Sequence, residues 1–128
     1  IQGFLRNGRP VHVYPVETRQ QLVEKILEEM KDMTGSLCLL CRTEKEARLL
    51  YAALSDHVPI RLAQAKGAED LRGTLIMPGY LAKDLEFDHV ILCDIDPDHL
   101  ADDDERQLCY IGCTRALHGL SLIFERKD

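Results

Sequence analysis

The chain has 128 residues, of which 45% are hydrophobic and 30% charged, and it carries a formal net charge of −6. That length suffices for one domain with a sizeable core, and the balance is that of an ordinary globular protein. An acidic total excludes a free-standing polyanion-binding module, so any nucleic-acid contact must come from a few local groups or from other parts of a larger protein. No apolar run approaches a membrane span, and no signal peptide opens the chain. Cys38, Cys41, Cys93, Cys109 and Cys113 lie mostly inside apolar runs. An odd count without a secretion signal reads as reduced thiols in a cytoplasmic protein. The abrupt start at Ile1, and an end four residues after an apolar strand, read as a single domain, residues 1–128, cut from something longer.

Gly8-Arg9-Pro10 precedes a short alternating run, Val11–Tyr14, expected to be a strand. Thr18 opens a helix to about Met33, with Leu22, Val23, Ile26, Leu27 and Met30 on one face, and Gly35 ends it. Ser36–Cys41 is a continuous apolar run, as in a strand buried on both faces. Thr43 caps a second helix to about Ser55, with Ala47, Leu50, Tyr51 and Leu54 facing inward. Pro59–Ala63 reads as a short strand and Ala65–Leu71 as a polar connection. Thr74–Met77 is a strand that feeds a charged loop, and His89–Ile95 is the strand that leaves it. An acidic loop, Asp94–Glu105, leads into a helix ending near Leu117; Gly119 breaks it, and Leu120–Phe124 is the last strand. Strands alternating with helices predict an α/β fold built on a mostly parallel sheet.

The stretch Ile76–Asp94 organises this pattern. An apolar run stops at Pro78-Gly79, and a short loop carries Lys83, Asp84 and Glu86 before the next run. A strand, charged loop and strand are expected to deliver polar groups to the carboxyl edge of the sheet, where such sheets bind ligands. Arg115 comes near the end of the last helix, and an arginine and a glutamate facing one sheet edge suggest a site for something phosphorylated.

Ala82-Lys83-Asp84-Leu85-Glu86-Phe87-Asp88 before an apolar strand resembles motif V of superfamily 1 helicases, usually A-K-G-L-E-F-D. Arg106-Gln107-Leu108-Cys109-Tyr110-Ile111-Gly112-Cys113-Thr114-Arg115-Ala116 resembles their motif VI, roughly R-x-L-x-Y-V-A-x-T-R-A, and Leu39-Leu40-Cys41-Arg42-Thr43 is similar to the upstream strand-then-R-T segment. The resemblance covers most of the chain and implies the second RecA-like motor domain of a UvrD/Rep-type DNA helicase. It implies ATP with Mg²⁺ between this domain and a first RecA-like domain of the same polypeptide, with Arg115 on the γ-phosphate as the catalytic residue and Glu86 on the ribose. Lys83 and Asp84 complete the expected ATP-side set. A guanidinium suits a transferring phosphoryl group, and a carboxylate suits sugar hydroxyls. On spacing alone, Arg115 reads equally as a helix-end arginine satisfying the last carbonyls.

Single-stranded or partly duplex DNA would meet the R-T segment and the surroundings of motif V. That points to Arg42 and Tyr80, the latter as a stacking face. The plainer readings are a solvated strand-end arginine and a half-buried tyrosine. Two departures qualify the match. Asp84 replaces a glycine at a position that often needs a left-handed backbone or a close phosphate approach. Tyr80 and Leu81 replace His-Ser, which with Cys113–His118 leans towards the HelD-type branch of RNA-polymerase-associated ATPases. No G-x-x-x-x-G-K-[ST] occurs, so the P-loop and its acidic partner motif are expected upstream, in the first motor domain. The alternatives are a HelD-type ATPase that remodels RNA polymerase, and a degenerate RecA-like interaction domain kept open by Asp84.

No metal site is expected. Asp94, Asp96, Asp98 and Glu105 have EF-hand spacing, yet His99 stands where the turn needs glycine and Pro97 stiffens the loop. Cys38 and Cys41 have ligand spacing, but a strand points them to opposite faces. Cys109 and Cys113 share a helix face without a matching His/Cys group.

Overall fold

A computed structural model describes residues 11–63 and 70–126. The Gly8–Pro10 segment, and most of the connection expected at Ala65–Leu71, lie outside the described residues. The elements are β1 (Val11–Val16), α1 (Arg19–Met30), β2 (Leu37–Cys41), α2 (Glu44–Leu54), β3 (Arg61–Leu62), β4 (Thr74–Pro78), β5 (Phe87–Cys93), α3 (Asp103–Arg115) and β6 (Ala116–Glu125), with a 3-10 turn at Gly79–Ala82. They form a six-stranded sheet in the order β1-β6-β5-β2-β4-β3, and each neighbouring pair is parallel.

The sheet sorts its side chains by parity. Leu37, Leu39 and Cys41 of β2 meet Leu22 and Ile26 of α1 and Ala47, Leu50 and Leu54 of α2 on one face. Cys38 and Leu40 turn to the other face, with Leu108, Cys109 and Ile111 of α3. The result is three layers with two cores, as a parallel sheet covered on both faces requires. Cys38 and Cys41 therefore belong to different cores.

Both early helices start where capping predicts. The Thr18 hydroxyl accepts the Gln21 N–H, and the Thr43 hydroxyl accepts the Glu46 N–H. Pro15 is accommodated because β1 is an edge strand. β3 is shorter than the expected Pro59–Ala63.

The largest departure from expectation is at the end of α3. The helix stops at Arg115 and β6 starts at Ala116 without a connecting loop, so Gly119 lies inside the strand and does not break a helix. There Gly119 pairs with His89 of β5, and a Cβ on it would come within 2.9 Å of His89 Nδ1. The neighbouring strand's side chain, not a chain reversal, accounts for that glycine.

Candidate functional site

Parallel pairing decides where the charged loop goes. β4 ends at the carboxyl edge of the sheet, and β5 must begin at the amino edge because both run parallel to β2. The residues between them therefore cross the height of the sheet, about 17 Å for a five-residue strand. Tyr80 stays at the carboxyl edge, while Glu86, directly before β5, is carried to the amino edge. This corrects the expectation of a loop presented wholly at the carboxyl edge.

At the amino edge, Glu86 and Arg115 lead into neighbouring strands. Phe87 and Ala116 are register partners, and each is preceded by a site residue, Glu86 and Arg115 respectively. Two residues far apart in sequence thus lead into adjacent strands at paired positions. Glu86 is exposed and Arg115 half-buried. The Arg115 Nε is buried and has no hydrogen-bond partner among the described residues. A buried N–H without a partner is costly, so Arg115 holds unused hydrogen-bonding capacity at the amino edge. Through Nε, at least, it is not satisfying its own helix end.

Asp84 is exposed, and its backbone is not left-handed: among the described non-glycine residues only Asp94 has positive φ, 62°. Aspartate therefore replaces the usual glycine without backbone strain.

At the carboxyl edge, a cleft of about 250 Å³ is lined by Arg42, Tyr80, Lys83, Asp104, Gln107 and Leu108, among others. Arg42 and Tyr80 both line this cleft, and Lys83 joins them here and not the Glu86–Arg115 pair. Tyr80 is 56% exposed, and its hydroxyl donates to Glu44 Oε2 at 3.4 Å. Arg42 is heavily engaged: its Nε and Nη2 donate to the two Glu46 oxygens at 3.0 Å each, and its Nη1 donates to Glu105 Oε2 at 3.2 Å. These carboxylates, Glu46 foremost, raise its pKa above the ordinary arginine value.

Sequence reasoning missed Glu105 as a partner. It is a buried carboxylate that also accepts the Ala101 N–H at 2.9 Å, while its own N–H donates to the Asp102 cap at 3.0 Å. The spacing Asp102-x-x-Glu105 marks a helix-start capping pair, but it carries no sign of the long-range contact with Arg42. Two other acidic residues of that loop serve backbone N–H groups: Asp94 Oδ1 accepts the Glu125 N–H at the end of β6, and Asp96 Oδ1 accepts the Asp98 N–H. Among the described residues no cluster of three ligand-type side chains could hold a metal ion, and no helix is long and apolar enough to cross a membrane.

No protein-family model and no curated protein sequence matches the chain. Solved structures do match. The C-terminal domain of a possible DNA helicase from Lactobacillus plantarum WCFS1 superposes with a TM-score of 0.78 at 26% identity, over 96% of this chain and 80% of that one. The C-terminal domain of the DEAD-box protein Dbp5 superposes with a TM-score of 0.66 at 17% identity, over 95% and 79% of the two chains, a likeness of fold alone. Fold and neighbours together define the class, a RecA-like domain of the helicase C-terminal type. The likeness supports that architecture and does not single out a UvrD/Rep or HelD branch.

Proposed function

We propose that the chain is the C-terminal motor domain of an ATP-dependent DNA helicase or translocase of superfamily 1, UvrD/Rep-like with a lean to the HelD branch. The observation that carries this reading is the register that sets Glu86 beside Arg115, with the Arg115 Nε buried and unpartnered. ATP with Mg²⁺, held mainly by a first RecA-like domain of the same polypeptide, would supply the phosphoanhydride bond whose cleavage drives movement. Arg115 would donate its N–H groups to the γ-phosphate oxygens, where charge must be stabilised during transfer. Glu86, exposed at the same edge, would accept hydrogen bonds from the ribose hydroxyls.

Single-stranded or partly duplex DNA would lie along the carboxyl-edge cleft. Tyr80 would offer a stacking face there, with Arg42 and Lys83 supplying positive charge. The loop carrying Lys83 and Asp84 physically joins the two edges, which supports the expectation that it couples nucleotide state to the strand track. The unstrained backbone at Asp84 favours a working motor over a degenerate interaction domain. A HelD-type ATPase that remodels RNA polymerase rests on Tyr80 and Leu81 before the motif. Polymerase binding without strand displacement would select it. A cytoplasmic setting follows from any of these motor readings.

The test is DNA-stimulated ATPase activity of the parent protein. Arg115→Ala should lower kcat by about a thousandfold or more with the fold intact, and the 128-residue chain alone should show no turnover. An Arg115→Ala protein as active as wild type would refute the assignment.

A further inference from the structure

The two edges are also joined by a rigid element, α3. Its thirteen residues span about 20 Å. It begins beside Arg42, through Glu105, and ends at Arg115. Glu105 is 2% exposed, and among the described residues Arg42 is its one ion-pair partner. Arg42, by contrast, has a side chain 34% exposed and lines the cleft. A buried carboxylate deprived of its cation is left with an uncompensated charge, so it cannot simply stay in place. Arg42 thus faces two ways, towards a buried acid at the start of α3 and towards any anion that enters the cleft.

We propose that the Arg42–Glu105 pair is a relay: a phosphodiester in the cleft draws the Arg42 guanidinium from Glu105, the first turn of α3 readjusts, and the shift is delivered to Arg115. The inference rests on the reading of the cleft as a nucleic-acid track. The physical warrant is that the single Arg42 Nη1 bond to Glu105, 3.2 Å, competes with an external phosphate, while the two bonds to Glu46 at 3.0 Å stay in place. Glu46 belongs to α2 and contacts Arg42 through both carboxylate oxygens. It holds the side chain near the cleft with or without the Glu105 bond. Leu108 adds a second hold on α3, because it packs so tightly over Gly79 that a Cβ there would lie 1.8 Å from its Cδ2. A displaced α3 therefore also presses on the loop that leads to Glu86.

NMR of the arginine Nε–Hε groups reads both ends at once in the 128-residue chain titrated with a short oligodeoxythymidylate. In the wild type, the Arg42 and Arg115 signals should shift together with one midpoint. Glu105→Gln keeps the shape and the Ala101 hydrogen bond but removes the charge. It should bind at least about fivefold tighter, because the phosphate no longer has to uncover a buried carboxylate, while the Arg115 signal stays still. Glu46→Gln should leave the Arg115 response intact, and thermal melting checks that both variants fold. Binding that moves Arg42 but leaves Arg115 silent in the wild type overturns the relay and leaves the nucleic-acid reading standing. An Arg115 response retained in Glu105→Gln overturns the relay too. If neither wild type nor Glu105→Gln binds the oligonucleotide, the nucleic-acid reading of the cleft falls and takes the relay with it.

Discussion

Asp88 fastens three strands at the amino edge, next to the proposed ATP-side pair. Its Oδ2 accepts the Ser36 N–H at 2.8 Å and the Ser36 hydroxyl at 3.3 Å, while His118 Nε2 of β6 lies 3.3 Å from Oδ1. The Ser36 N–H is the leading reason that the carboxyl group titrates below its ordinary value of 3.8. A depressed folded-state pKa gives stability that is present above the ordinary value and is lost as pH falls through the lower one. Asp88→Asn should therefore be less stable than wild type at neutral pH, yet lose less stability on acidification below about pH 4. Urea midpoints measured across that range would show it; parallel curves for the two proteins would remove Asp88 from the acid response. Gly35 has a related role, with φ at +87° and a would-be Cβ 2.1 Å from Asp88 Oδ2. Gly35→Ala meets both the left-handed backbone and the carboxylate, and should cost about 2–4 kcal/mol in chemical denaturation.

Among the elements, α3 is the one whose placement carries the site. Its start is secured by the Asp102 carboxylate, which accepts the Glu105 N–H, and its middle by the Leu108–Gly79 contact. Gly79→Ala must displace the Leu108 side chain, whose Cδ2 and Cγ would lie 1.8 and 3.0 Å from the new Cβ. It should cost about 1–3 kcal/mol, measured as a drop in the denaturation midpoint, because it pushes the 3-10 turn off the helix. A neutral result would mean that the turn and α3 are not packed as described. The starts of α1 and α2 were legible in the sequence because Thr18 and Thr43 are local signals, each bonding three residues ahead. The end of α3 was not. Gly119 looks like a helix breaker until the sheet shows His89 occupying the space its Cβ would take, so tertiary pairing overrode a local cue.

For the molecule as a whole, an acidic chain with two cationic side chains in the cleft should bind single strands weakly and with a shallow salt dependence. If Arg42 and Lys83 each neutralise one phosphate, affinity for oligodeoxythymidylate should fall about sevenfold between roughly 50 and 200 mM salt. A fall of several hundredfold in a filter-binding titration would mean a larger footprint than this cleft provides. The sequence by itself determined the α/β class, the helix faces and the identity of the residues at both edges. Periodicity, caps and short motifs are local, and each is written in a few neighbouring residues. Only the tertiary structure decided the edges themselves. Which end of a strand a loop residue occupies depends on the direction of the strands beside it. So it was parallel pairing that carried Glu86 down to Arg115 and left Lys83 in the cleft with Arg42. It likewise revealed Glu105 beneath Arg42, because a contact between α3 and the end of β2 is long-range and has no signature within either segment.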